Sequence, residues 1–240
     1  MRFLLRLFLI LLFILLIGFL VGGFFWWLSG GTISGANQPE DLGVEYDDID
    51  LEAARRKAGI ETLESNLADS YLGTISYEGS HFVNTVFTQR ELNALVNSGA
   101  WKYYPLKSVQ IKINRDNSFE ASGLILTERL GGYIEATGEV DNLATRVIKL
   151  LGYNKQNIPF YIQGFISIKD NEPDWRFQKV KLGPFFIPLA LIGGNSTAIN
   201  DFLKRQLLFV QGLSIESLEI KDGELKLVGT LPDTERIVVY

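Results

Sequence analysis

His81 is the only histidine in a chain of 240 residues that has no cysteine. One imidazole cannot build a multi-histidine metal site. Without thiolates there is no cysteine nucleophile, zinc–thiolate cluster, disulfide framework or lipidated cysteine. A serine nucleophile would have to use His81 as its base. No Gly-x-Ser-x-Gly elbow is present, and no Ser-x-x-Lys pair stands in a suitable context. Phosphate-binding loops of the P-loop and Gly-x-Gly-x-x-Gly kinds are missing too. His81 lies between Ser80 and Phe82 at the start of an expected strand, where a surface or capping role is the simplest use. Glu135 and Glu139 share one face of an expected strand and could pair as general acid and base. Alternating acids on the wet side of a half-buried strand explain the same pattern. The run Asp41, Glu45, Asp47, Asp48, Asp50 has the composition of a calcium loop. Neither Asp47 nor Asp48 is followed by both a sixth-position Gly and a twelfth-position Glu, so a solvated tether is expected. Asn195-Ser196-Thr197 matches a glycosylation acceptor but serves equally as a helix cap. These residues assign no catalytic group, metal or cofactor, and the chain is read as a non-enzyme.

The elements around these residues begin with a membrane segment. Leu7 to Leu28 is 22 residues without a charge, enough at 1.5 Å per residue to cross a hydrocarbon core of about 30 Å. Arg2 and Arg6 precede it and the acidic run follows it, so the N-terminus is expected in the cytoplasm and the bulk outside. Trp26 and Trp27 stand at the outer end, where indoles favour the headgroup layer. A cleaved signal peptide is the alternative. Its apolar stretch is normally shorter, although Ser34-Gly35-Ala36 offers a late cleavage site. The expected organisation is an anchor at 1–28, a flexible acidic linker at 29–50 and an extracytoplasmic domain at 51–240 with its core at about 80–240. A net charge of −5 with no basic tract beyond the anchor argues against nucleic acid as a partner.

Within the domain, Leu51 to Leu67 suggests one or two short helices broken near Gly59. Thr88-Gln89-Arg90-Glu91 is a capping box opening a short amphipathic helix with Leu92, Leu95 and Val96 on one face; Phe87 is placed for a hydrophobic staple. From Val109 the period becomes two. Val109, Ile111 and Ile113 alternate with polar residues, then Phe119, Ala121, Gly123 and Ile125 do so across a turn at Arg115 to Ser118. Tyr133 to Val140 repeats the alternation, and Asn142 to Leu151 suggests a short helix. Ile158 to Lys169 is a long strand, and Trp175 to Leu182 pairs back on it. Asn195 or Ser196 caps a second helix carrying Ile199, Phe202, Leu203, Leu207 and Val210. Asp222-Gly223 is a two-residue turn between closing strands. The predicted class is α+β, an N-terminal transmembrane helix followed by a curved antiparallel sheet wrapped on one or two amphipathic helices. Inward glycines at 123, 138 and 164 fit either room for a ligand or close packing.

Leu182 to Ile192 is almost wholly apolar and carries Pro184 and Pro188, so it is expected as an edge strand or an extended loop. It holds more apolar side chains than one face of such a strand can bury. With the second helix it is expected to form one wall of an apolar groove, through Phe185, Phe186, Ile187, Leu189, Ile192, Phe202 and Phe209.

Two stretches carry a family resemblance, Phe87-Thr88-Gln89-Arg90-Glu91-Leu92-Asn93-Ala94-Leu95 and the closing run from Leu213 to Gly229. From about Phe82 to Val239 the chain resembles the LmeA-like and YpmS-like membrane-anchored bacterial proteins related to the TULIP (tubular lipid-binding) fold. The resemblance implies a curved sheet wrapped on helices, an apolar groove able to take an acyl chain, and no catalytic motif. The acidic linker and Leu51 to Tyr77 have no counterpart in it. The expected function is a membrane-anchored lipid-binding or lipid-handling module. Its partners would be the bilayer, an acyl lipid or another envelope protein. The alternative is a structural or partner-binding domain of an envelope assembly with a filled core.

Overall fold

The computed structural model describes residues 38–66, 74–137, 157–183, 185–187, 189, 204–205 and 207–239. The expected anchor and the Asn142 to Leu151 helix lie outside them. So do Gly138, Glu139, Ile192, Phe202, Leu203 and the Asn195-Ser196 cap. No helix among the described residues is long and apolar enough to cross a membrane.

The chain is α+β with a mostly antiparallel sheet and few helices. Part of the stretch expected as linker is packed: Val44 is buried, and the Leu42 N–H donates to Gln110 Oε1 at 2.6 Å. Helix α1 (Asp48–Ala58) starts from Asp47, whose carboxylate accepts from the N–H groups of Ile49 and Asp50, with Asp50 completing a capping box. Gly59 ends it in the left-handed conformation. The residues beyond Gly59 form a strand instead of a second helix, β1 (Glu61–Ser65).

Strands β2 (Ile75–Glu78) and β3 (His81–Phe87) lead to α2 (Gln89–Asn97), which carries the expected capping box from Thr88 and Glu91. Nine residues are too few for a helix to stand alone. Leu92, Leu95 and Val96 are buried, each contributing about 1.5–3 kcal/mol. Strands β4 (Leu106–Ile113) and β5 (Phe119–Ile125) make the expected hairpin. Helix α3 (Thr127–Thr137) corrects the strand expected at Tyr133 to Val140. Its buried residues Thr127, Leu130, Tyr133, Ile134 and Thr137 recur at helical spacing. Ile134 and Ala136 alternate only within a window that starts too late.

The long strand β6 (Ile158–Lys169) and β7 (Glu172–Leu182) form a hairpin through Asp170 and Asn171, both at positive φ. A two-residue edge strand, β8 (Phe185–Phe186), pairs with the end of β7. Residues 204, 205 and 207–209 are helical. Strands β9 (Ser214–Lys221) and β10 (Glu224–Leu231) close on Asp222-Gly223 as expected, with φ of 58° and 82°. The last strand, β11 (Thr234–Val238), lies between β1, its parallel partner, and β2, its antiparallel one.

The larger sheet turns on β6. One edge of β6 carries β7 throughout; the other carries β5 along Ile158–Gly164 and then β9 at Ser167–Lys169. Two clusters form the core. One joins the inner faces of β4–β7 to α3 and β11; the other joins α1 and α2 to β3, β9 and β10. Ile111, Ile166, Leu213 and Ile220 touch both. Ile162 is fully buried and Ile166 partly so.

Of the glycines expected on the inner face, Gly123 and Gly164 are closely packed. A Cβ on Gly123 would stand 2.8 Å from the Phe160 ring, and one on Gly164 would stand 2.4 Å from the Arg176 carbonyl. That carbonyl approaches because β7 bulges opposite Gln163/Gly164.

The free edge of β4 is closed by side chains. Gln89, Asn93 and Asn97 stand one turn apart on α2. Asn97 exchanges two hydrogen bonds with the Val109 backbone at 2.7 and 2.9 Å, Asn93 does the same with Ile111, and Gln89 Oε1 accepts from the Ile113 N–H at 3.1 Å. Three amides thus replace a neighbouring strand.

Candidate functional site

The opposite margin, at β7 and β8, has no such cover among the described residues. β6 flanks β7 over its whole length. On the other side Lys181 and Leu182 pair with β8 and the Val180 carbonyl accepts from the Ile187 N–H, leaving Glu172 to Lys179 as an open edge among the described residues. Pro173 and the charged residues Glu172, Asp174, Arg176 and Lys179 suit an edge exposed to water.

The residues expected to form one apolar wall are divided by this margin. Ile187 is buried in the core, and its N–H donates to the Val180 carbonyl at 2.9 Å. Phe186 is 61% exposed and Leu189 40%. The Phe185 backbone pairs with Leu182. Phe209 is half-buried in the helical turn at 207–209, where Leu207 is buried and Leu208 is 80% exposed. Ile192 and Phe202 fall outside the described residues. Ile187 is therefore core, while Phe186 and Leu189 face solvent.

Aromatic and cationic side chains alternate over the outer face beside Phe186. The Lys179 ammonium lies 5.3 Å from the Phe186 ring centre and 5.0 Å from that of Tyr161. The Lys181 ammonium lies 5.1 Å from Phe186, and the Arg176 guanidinium 5.5 Å from Phe165. Such contacts are worth about 0.5–1 kcal/mol at exposed positions. Lys181 is paired with Glu40, Arg176 stands 3.8 Å from Asp174, and Lys179 has no carboxylate partner among the described residues. Tyr161 donates to Glu120 Oε2 at 2.6 Å. Burial and that carboxylate push the Tyr161 hydroxyl well above its ordinary range. Burial pushes Glu120 up, but hydrogen bonds from Tyr161 and Asn114 and the charge of Lys112 outweigh it and leave the carboxyl below its ordinary value.

His81 has the capping role expected of it. Nε2 stands 3.0 Å from the Ala58 carbonyl at the end of α1, and Nδ1 2.9 Å from Asp233 Oδ1 in the β10–β11 corner. Both partners are acceptors, so both contacts are hydrogen bonds only when the ring carries two N–H groups. Glu135 lies exposed on α3, which corrects its expected place on a strand and removes the strand-face pairing with Glu139. No group of three or more metal-ligating side chains occurs among the described residues.

Comparison with protein-family models, curated proteins and solved structures finds no match to this chain. The reading of the site rests on its residues.

The aromatic–cationic face was not foreseen from the sequence. Its signal was the order Arg176, Lys179, Lys181, Phe186, but the β7 bulge shifts the alternation after Phe177, so the spacing does not reveal that these residues share a face.

Proposed function

We propose that the chain is a lipid-binding or lipid-handling module outside the cytoplasm, held at a single-pass membrane anchor by Leu7 to Leu28, with its N-terminus inside. On this reading the antiparallel sheet curves around amphipathic helices, as in the TULIP-related proteins that the chain resembles. The groove wall is drawn from Phe185 to Ile192 and the helix that follows. The observation that carries the proposal is the exposure of Phe186 and Leu189 on either side of buried Ile187. Apolar side chains kept out of an available core call for an apolar occupant. No bond-making step belongs to this reading, since His81 is engaged in structural contacts.

Uptake of a fluorescent phospholipid by the detergent-solubilised full chain tests it. The double substitution Phe186→Ser with Leu189→Ser should leave the unfolding midpoint nearly unchanged and abolish uptake. Unfolding of the double variant would make these side chains ordinary core. A wild-type chain that takes up no lipid would favour the second reading, a partner-binding domain of an envelope assembly. The open edge of β7 from Glu172 to Lys179 supports that alternative, because it can accept a strand from another protein.

A further inference from the structure

The described chain begins over the outer face of the sheet. Glu40 is paired with Lys181 of β7, and two residues later the Leu42 N–H is bound to Gln110 of β4. The chain therefore crosses the outer face from the β7 margin towards β4 before it enters α1. Read backwards, it leaves the domain beside Lys181, the residue whose ammonium lies over Phe186. Twelve Cα–Cα steps separate Leu28 from Glu40. Fully extended they reach about 40 Å, so this margin is tethered close to whatever holds Leu28.

The same margin carries an uncommon set of side chains for a chain whose net charge is −5. Arg176, Lys179 and Lys181 stand together; Lys181 is paired with Glu40, Arg176 is matched loosely by an exposed Asp174, and Lys179 is unmatched by any described carboxylate. Between them Phe186 presents an exposed ring. A ring that enters the acyl boundary beside an ammonium group that reaches phosphate is a combination suited to lying against an anionic bilayer. A protein partner would be served as well by the aromatic ring, but it offers no reason for the cations to gather where the tether leaves.

We infer that the β7–β8 margin, through Phe186 and Lys179, docks the domain onto an anionic bilayer surface. The inference rests on the proposed reading of Leu7 to Leu28 as a membrane anchor. It adds a preferred orientation, with the β7–β8 margin towards the lipid and the amide-closed β4 edge as the opposite margin of the sheet.

The absence of native cysteine makes the test direct. Full-length F186C, labelled with an environment-sensitive fluorophore, is placed in nanodiscs of phosphatidylcholine with or without phosphatidylglycerol. Full-length F82C, labelled at a residue of similar exposure on β3, is the control. The expected result is a blue shift at position 186, with quenching by brominated acyl chains, in the anionic discs alone. Adding Lys179→Glu should return the emission to that of water, and the label at 82 should stay aqueous throughout. Identical behaviour at 186 and 82, or an equal shift in neutral discs, overturns the docking surface. Extraction of the wild-type chain from membranes by alkaline carbonate would instead remove the anchor reading on which it rests. Fluorescent phospholipid uptake reports on the groove independently of both.

Discussion

Asn93 and Ile111 exchange two hydrogen bonds, Asn93 Nδ2 to the Ile111 carbonyl at 2.6 Å and the Ile111 N–H to Asn93 Oδ1 at 2.8 Å. Asn93 is fully buried, and its Nδ2 also donates to the Gln89 carbonyl at 2.6 Å. A side-chain amide here does what a strand neighbour would do. Asn93→Leu keeps the branching at Cγ and removes the pairing, stranding a backbone donor and acceptor. It should cost about 2–6 kcal/mol by urea unfolding, from a penalty of about 1–3 kcal/mol for each of the two stranded groups. Faster hydrogen exchange at the Ile111 amide should accompany the loss. A cost below about 0.5 kcal/mol would mean that water replaces the amide without penalty.

Gly164 faces the backbone of β7 so closely that no side chain fits. Gly164→Ala would force its methyl against the Arg176 carbonyl, with no flexible side chain to yield. The expected loss is about 1–3 kcal/mol, the range for overpacking in a close-packed interior. A thermal melt of the variant equal to wild type would show that the bulge can open at no cost.

Gly223 isolates backbone strain from packing. Its φ is 82° and nothing would touch an added Cβ. Gly223→Val should destabilise by about 1–2 kcal/mol through the left-handed conformation alone. Gly223→Asn should recover most of that, since asparagine tolerates this region. Equal stability of the two variants would contradict a purely conformational origin.

Acid should loosen the junction of α1 and α2. Asp50 accepts from Arg90 at 3.0 and 3.1 Å. That hydrogen bond, against the upward push of burial, holds the carboxyl below its ordinary value of 3.8. A lowered folded-state pKa contributes stability that is present above 3.8 and is lost as the pH falls through the folded value. Glu120 acts in the same direction on the sheet face. Urea midpoints followed downwards from neutral pH should decline below that point, and Arg90→Ala should flatten the decline. An unchanged slope in Arg90→Ala would assign the acid sensitivity elsewhere.

Alternation is readable where inward apolar residues recur at every second position. Ile158 to Lys169 and the hairpin from Val109 to Ile125 follow from it directly. So does the Asp222-Gly223 turn, whose geometry is written in its two residues. Helix α3 was missed because Gly131-Gly132 looks like a break; yet Gly132 is there because the Tyr103 ring occupies the space of its Cβ, at 2.2 Å. The amide ladder of Gln89, Asn93 and Asn97 was present in the sequence as a polar stripe. Polar residues on a short helix suggest solvent unless the edge they will meet is known. The expected groove wall had a clear apolar surplus, but which member turns inward depends on where β8 joins β7. Local composition does not encode that register.

β11 is the middle strand of the small sheet, with β1 parallel on one side and β2 antiparallel on the other. Both flanking strands come from the opposite end of the described chain, so neither has its partner until Thr234 to Val238 has been made. A ribosome feeding this chain outward, N-terminus first, would release β1 and β2 long before they can pair, and closure by so distant a segment is intrinsically slow. The small sheet is therefore the part of the fold whose closure waits longest, and a chain halted before Thr234 would leave β1 and β2 without the strand that joins them.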